Sequence, residues 1–430
     1  MSDTGKKISL SRGLLSISPI AVFLLFYLVV SIVIGDFYKM PISVALLVAS
    51  AWAVIILHGT PLSQRVEMFS RDAGSSNVMY MVWIFVLAGA FASLAREIGA
   101  VEASVNLALN VLPVEMIVPG LFAASCFISL AVGTSVGTVV ALTPLAVELA
   151  QTGNESVPFF VAVVLGGAFF GDNLSFISDT TIAATRTQGC KMNDKFKTNL
   201  WIVLPAALIT LGFYIAYGAQ LSDIPVPAES DYWLILPYII VIVTALMGIN
   251  VTVVLSLGIV SAIVLAWFKG FDTITLFGYM GDGISSVGNL IIITLLAAGM
   301  LGLIKAAGGI DFILQRLTAR IHGPRGAQAS VAALVGIVNL CTANNTVAII
   351  TVGSLAHDIA ERFRVSPRKM ASLLDTGSCI VQCLIPYGAQ TLMATGLAGI
   401  SPEAPWIYLY YPWALIVMVS LSIIFRFPRK

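Results

Sequence analysis

Two carboxylates lie in a stretch of chain that is otherwise almost uncharged. Asp172 and Asp179 belong to Gly166-Gly-Ala-Phe-Phe-Gly-Asp172-Asn173-Leu-Ser175-Phe-Ile-Ser178-Asp179-Thr180-Thr181. Asp172 precedes the basic edge at Arg186 by fourteen residues. At about 1.5 Å per helical residue this puts Asp172 roughly 20 Å deep, less any unwinding, and Asp179 about 10 Å deep. An ionised carboxylate in a membrane interior is costly unless it pairs, binds a cation or faces water. One carboxylate can hold a proton or a metal cation but not both in the same place, so the two would compete. That competition is a physical basis for exchanging one for the other. The plainer readings are a helix-terminal cap for Asp172 beside Gly171, and a cap or a contact with Arg186 for Asp179. Asn173, Ser175, Ser178 and Thr180 add neutral oxygens nearby.

The same polar character recurs elsewhere, in duplicate. Thr134-Ser135-Val-Gly-Thr138-Val with Thr143 is echoed by Thr342-Ala-Asn344-Asn345-Thr346-Val with Thr351, 208 residues later. Each copy interrupts an apolar segment. Unwound backbone and hydroxyls survive at membrane depth only where they line a cavity, and paired interruptions point to the binding site of a secondary transporter. A second broken crossing reads Asp375-Thr-Gly-Ser-Cys-Ile-Val-Gln-Cys-Leu-Ile-Pro386-Tyr387-Gly388-Ala-Gln390-Thr391. Pro386 and Gly388 interrupt its hydrogen-bond ladder and free carbonyls. Tyr387, Gln390 and the asparagines are hard oxygen donors that suit a hard cation or an organic solute. Asp375 lies six residues beyond Lys369, which makes a near-surface ion pair as plausible as a site role. No Lys or Arg is read at midplane depth.

These residues need a membrane scaffold, and composition supplies it. The 430 residues are 58% hydrophobic and 10% charged, with mean hydropathy +0.95 and net charge +1. Soluble domains carry about 25% charged residues. A net charge this small argues against a nucleic acid or other polyanionic partner. Five cysteines, mostly in apolar segments, read as buried thiols and not as a disulfide framework. The apolar run after Lys6, Lys7 and Arg12 reads as a retained first helix.

Crossings are expected at about 14–35, 41–58, 78–95, 157–186, 199–219, 232–249, 250–268, 288–306, 370–400 and 406–425. The stretches 116–150 and 328–357 are too short for two full spans and too long for one, which fits re-entrant hairpins. With the N-terminus inside, 20 of the 23 Lys and Arg fall on the cytoplasmic side, Lys195 among them, and only Lys39, Arg96 and Lys269 outside. The outer loops are acidic, with Glu97, Glu155, Asp223 and Glu229 among them.

Leu94-Ala-Arg96-Glu-Ile-Gly99 also matches Leu303-Ile-Lys305-Ala-Ala-Gly308. Residues 14–219 and 232–425 thus each hold five crossings and one hairpin, and an odd number inverts the second copy. The expected fold is an all-α polytopic membrane protein of about 10 transmembrane helices plus two re-entrant hairpins, in two inverted-topology repeats within one domain spanning 1–430. Such a pseudo-two-fold brings the hairpin tips together near the midplane.

Gly133-Thr-Ser-Val-Gly-Thr138, Gly171-Asp-Asn-Leu-Ser-Phe-Ile-Ser-Asp-Thr-Thr181 and Leu384-Ile-Pro-Tyr-Gly388 together resemble the signature stretches of the NhaC family of Na+/H+ antiporters, in order and spacing along nearly the whole chain. The resemblance implies Na+/H+ exchange, with Asp172 and Asp179 as its acidic residues. It also implies Na+ and H+ as the transported ions and a multi-pass protein of the bacterial inner membrane; the charge asymmetry puts both termini in the cytoplasm, and no cofactor is expected. The chain departs from that family at Leu374-Asp375-Thr-Gly and at Tyr387-Gly388-Ala, where Glu-Asp-Gly and Trp-Asn-Thr are expected. Relatives in the family also move organic acids or amino acids. Coupled transport of a small carboxylate or amino acid is therefore the alternative, and a homodimer is compatible with either. An intramembrane aspartyl protease would need two facing carboxylates sharing a proton, whereas Asp172 and Asp179 lie on one element. The remaining reading is a channel. No enzyme is expected.

Overall fold

The computed structural model of the chain describes residues 9–34, 40–57, 59–176, 178–221, 231–318 and 321–428. Lys6, Lys7, Lys39, Asp223, Glu229 and Arg320 lie outside the described residues. Among the described residues the secondary structure is helical. The first half runs α1 (Leu10–Ile34), α2 (Ile42–Ile56), α3 (Leu62–Ala73), α4 (Ser76–Glu97), α5 (Ala100–Val111), α6 (Ile117–Val132), α7 (Ser135–Thr152), α8 (Val157–Leu174), α9 (Asp179–Gln188) and α10 (Met192–Gly218). The second half repeats that order: α11 (Leu236–Leu246), α12 (Val251–Phe268), α13 (Thr273–Ser286), α14 (Gly288–Ala306), α15 (Gly309–Thr318), α16 (Gly323–Thr342), α17 (Asn345–Arg362), α18 (Pro367–Leu384), α19 (Ala389–Ala398) and α20 (Tyr410–Ile424). Eight spans in the described residues are long and apolar enough to cross a membrane, and Ile42–Ile56, Tyr232–Leu246 and Tyr410–Ile424 are shorter apolar helices. The chain is an all-α polytopic membrane protein.

The packing repeats as well. Helix α4 packs on α13 and α14 on α3; α6 packs on α8 and α16 on α18; α9 packs on α17 and α19 on α7. Each contact has its counterpart ten helices away. Gly99 and Gly308, which separate α4 from α5 and α14 from α15, both take positive φ, 82° and 80°.

Both arms of the first hairpin end on one side. The α6 end at Glu115 and the α7–α8 junction at Glu155 both meet the C-terminal end of α10. The Tyr217 hydroxyl donates to Glu155 at 2.6 Å, and a Cβ on Gly218 would lie 2.1 Å from the Glu115 carbonyl. The tip lies far from that end, where Ser135 meets Asp172 near the C-terminus of α8. In the second hairpin α16 runs alongside α18 in the same sense: Gly377 abuts Ala332, Asn339 bonds the Ser378 carbonyl, and Gln382 bonds the Ala343 carbonyl. Its tip lies at Ala343 and Asn344.

Small residues make these approaches possible. A Cβ on Gly167 would lie 2.5 Å from Ser125, and one on Gly171 would lie 2.4 Å from the Leu130 backbone nitrogen. Helices α6 and α8 therefore touch backbone to backbone, the contact that small residues permit in membranes. The Ser129 hydroxyl seals the same seam by donating to the Ala168 carbonyl at 2.5 Å.

Two features differ from the sequence expectation. Residues 273–286 form the separate helix α13, whose Gly283 abuts Gly89 of α4; its glycines and short polar residues had obscured it. Its counterpart α3, outside every expected crossing, packs on α14, with Phe69 against Gly299 and Asp72 against Gly302.

Candidate ion-binding site

Each hairpin turns through two residues. Gly133 is left-handed (φ 74°) and Thr134 extended; Ala343 is left-handed (φ 48°) and Asn344 extended. Structurally, Gly133 matches Ala343 and Thr134 matches Asn344, a register of 210 residues and not the 208 suggested by the threonine spacing. Thr342 is the last residue of α16 and not the counterpart of Thr134. At the second tip the Asn344 side chain caps α17 by accepting from the Val347 N–H at 3.0 Å, the usual role of Asn at a helix start. Asn345 accepts from the Thr346 N–H at 3.1 Å, while its own Nδ2 is buried without a protein partner.

The crossings after the hairpins are broken as expected. Helix α8 ends at Leu174 and α9 begins at Asp179, with Ser175 and Ser178 extended between them. Helix α18 ends at Leu384 and α19 begins at Ala389, with Ile385 and Gly388 extended. Pro386 lies in the second break, where it cannot donate to a helical ladder.

The breaks and the tips meet around a cavity of about 600 Å³. Thr134 and Ser135 of the first tip, Asn344, Asn345 and Thr346 of the second, Asp172, Asp179 and Thr180 from the first break, and Gln382 and Gln390 flanking the second all line it. It extends outward past Tyr80 and Asn250, both exposed and joined by a 3.2 Å hydrogen bond. A smaller cavity of about 200 Å³ shares Met81, Ala343, Asn344 and Val347 with the first and reaches Asp72, Lys305, Thr342 and Tyr387. The second tip thus divides two spaces.

Asp172 is 5% exposed. Ser135 donates to its Oδ2 at 2.8 Å and Ser178 to its Oδ1 at 2.5 Å. Ser178 in turn lies 2.8 Å from the Thr180 hydroxyl. Charge-assisted hydrogen bonds of this kind hold a carboxylate in a fixed orientation. Asp179 differs. It opens α9 and is exposed toward the cavity, where a carboxylate is favoured by the helix dipole. Asp179 shares α9 with Arg186, whereas Asp172 is separated from both by the break between α8 and α9, the unwinding that shortens its depth along the chain.

Several other sequence candidates lie off the cavity. Thr138 is buried and donates to the Thr134 carbonyl at 3.3 Å. Asn173 accepts from Asn199 at 2.6 Å. Tyr387 donates to the Leu340 carbonyl at 2.8 Å and borders only the smaller space. Ser175 is buried in the break.

Asp375 corrects the sequence reading most. It is 0% exposed and pairs with Lys195, not with Lys369. Lys369 instead bonds Ser422 and, at 2.9 Å, the Phe427 carbonyl. Lys195, counted as a surface charge because it follows Arg186 and Lys191, is 1% exposed. It lies in the first turn of α10, which starts at Met192, ahead of the crossing expected from residue 199. A buried ammonium thus stands among the polar residues of the helix breaks, where the sequence reading had placed only neutral and acidic groups.

The chain is 22% identical to the Malate-2H(+)/Na(+)-lactate antiporter of Bacillus subtilis (strain 168) over 92% of this chain and 91% of that one. It is 23% identical to the Na(+)/H(+) antiporter NhaC of the same organism, covering 83% and 86%. The crystal structure of the Alcanivorax borkumensis YdaH transporter, described as having an unusual topology, aligns over 95% of this chain and 99% of that one at 14% identity and a TM-score of 0.40. The description "Na+/H+ antiporter family" matches residues 7–219 and 225–428, so the chain belongs to that family.

Proposed function

We propose that the chain is a secondary active transporter that exchanges Na+ for H+ at Asp172 by alternating access. One observation carries the reading: Asp172 is a buried carboxylate at the cavity wall, gripped by a hydroxyl from the hairpin tip (Ser135) and one from the helix break (Ser178). Without Na+ the carboxylate takes a proton. When Na+ enters, the proton leaves and the hydroxyl oxygens of Ser135, Ser178 and Thr180 turn toward the cation beside Asp172. Asn173 acts indirectly, through its bonds to Asn199. Asp179, exposed in the same cavity, attracts the cation but does not bury it. Asn344, Asn345 and Thr346 supply the facing oxygens from the second half, and rocking of the two inverted repeats, 14–219 and 232–425, would alternate the opening. Proteoliposomes with an internal pH dye should show a Na+-driven pH change that Asp172→Asn abolishes.

A cavity of about 600 Å³ far exceeds what a bare cation needs and falls in the range of small-molecule sites, about 300–1,000 Å³. That volume favours a second reading, Na+- or H+-coupled transport of a small carboxylate or amino acid. It is compatible with the malate and lactate named for the Bacillus relative. Thermal stabilisation by an organic solute, dependent on Na+, would separate the two. The excess of basic residues on one side supports an inner-membrane orientation with both termini cytoplasmic, and the lipid bilayer is the surrounding partner.

A further inference from the structure

Beside the cavity, and not among its lining residues, the Lys195 ammonium occupies a nest of three oxygens. It donates to the Asn173 carbonyl at 2.5 Å and to the Thr181 hydroxyl at 2.8 Å, and it pairs with the Asp375 carboxylate. The Thr181 hydroxyl in turn donates to Asp375 Oδ2 at 3.3 Å. The Asn173 carbonyl belongs to the last turn of α8, where carbonyls lose their helical donors. It also accepts from Asn199 Nδ2 at 3.0 Å. A carboxylate, a hydroxyl and a carbonyl freed at a helix end form the hard oxygen set that a small monovalent cation takes. An ammonium is a compact point charge with three donors. Here one donor goes to each oxygen.

We propose that Asp375, Thr181 and the Asn173 carbonyl constitute a monovalent-cation site whose permanent occupant is the Lys195 ammonium, and that removing this ammonium opens the site to Na+. The protein then has a tethered cation at the junction of α8, α9, α10 and α18, next to the exchangeable position at Asp172. The tethered charge neutralises Asp375 in every step of a transport cycle and holds the broken end of α8, which carries Asp172, against the second half. This inference rests on the local geometry and does not require that Na+/H+ exchange be the reaction.

The test compares full-length Lys195→Ala with the double variant Lys195→Ala/Asp375→Asn. Thermal melting is followed while NaCl or methylammonium chloride replaces choline chloride at constant ionic strength. Both variants are made in an Asp172→Asn background, so Na+ bound at that carboxylate contributes to neither melting curve. The expected result is a saturable rise in Tm with Na+ or methylammonium in the single variant beyond that of the double variant. A single variant that folds only when Na+ or methylammonium is present would support the site equally. Coincident titrations of the two would overturn the proposal. So would a single variant that stays unfolded in both salts while the double variant folds.

Discussion

The Ser135 hydroxyl stands between Asp172 and Gln390, donating to Asp172 Oδ2 at 2.8 Å and accepting from Gln390 Nε2 at 3.0 Å. Gln390 Oε1 accepts from Gln382 Nε2 at 3.1 Å, and the same Gln382 nitrogen reaches the Ala343 carbonyl at 3.1 Å. A continuous line of hydrogen bonds therefore runs from the candidate carboxylate in the first half to the hairpin tip of the second. A change in what Asp172 holds is felt at both tips, because Ser135 cannot turn its oxygen toward a cation without releasing one of these partners.

Removing that link should be costly. Ser135→Ala leaves Asp172 Oδ2 and Gln390 Nε2 without their shared partner, and an unsatisfied buried polar group costs about 1–3 kcal/mol. Sodium affinity, read as KM in a transport assay, should weaken on the order of tenfold, at the 1.4 kcal/mol per decade that links energy to binding. An unchanged KM would show that Ser135 does not touch the ion.

Competition gives a pH dependence without reference to any particular pKa. If Na+ and H+ exclude each other at one carboxylate, a tenfold rise in proton concentration raises the apparent KM for Na+ by up to about tenfold, by linkage. A KM independent of pH, with only the maximal rate changing, would contradict a shared site.

The two acidic residues should differ. Asp179 is exposed to the cavity, so its charge acts through a well-screened medium. Asp179→Asn should raise KM for Na+ by only about two- to fivefold, as a surface charge worth about 1 kcal/mol would, and leave exchange in place. If Asp179→Asn abolishes exchange, the carboxylate roles must be reversed.

Backbone conformation at the second tip offers a stability test. Ala343 takes φ 48°, a left-handed conformation that costs an L-residue about 1–2 kcal/mol and that glycine adopts freely. Gly133 already fills the equivalent position of the first tip. Ala343→Gly should therefore raise Tm, by up to about 1 kcal/mol of stability. A drop in Tm would mean that the methyl group packs in a way that outweighs its strain.

Glycines at the α6–α8 seam should be intolerant. A Cβ at Gly171 would meet the Leu130 nitrogen and Ser129 Cβ at 2.4 Å, whereas one at Gly212 would meet nothing within 4 Å. Gly171→Ala should destabilise by about 1–3 kcal/mol through overpacking, while Gly212→Ala should be neutral or mildly stabilising. Equal melting temperatures for the two variants would contradict the close helix contact.

Much of the fold was legible because membrane depth makes polar residues conspicuous. Thr134, Ser135, Asn344 and Asn345 stood out against apolar neighbours, and Pro386 and Gly388 announced a broken crossing. Asp172 could be singled out for the same reason. What escaped was information carried by three-dimensional contact. Lys195 resembled a boundary charge because its sequence neighbours Arg186 and Lys191 are basic, and nothing in its local pattern reveals a partner 180 residues away in Asp375. The hairpin register slipped by two residues because threonine spacing was followed, whereas the turn is set by the left-handed positions Gly133 and Ala343. Gln390 was recognisable as polar, but its bond to Ser135 depends on how the halves dock.

The central claim is tested most directly by reconstituting wild-type and Asp172→Asn proteins side by side in liposomes loaded with a pH dye and imposing an inward Na+ gradient. The account predicts proton efflux, and hence internal alkalinisation, with the wild type and none above empty liposomes with Asp172→Asn, while both proteins melt cooperatively. Undiminished exchange by a folded Asp172→Asn protein would contradict it.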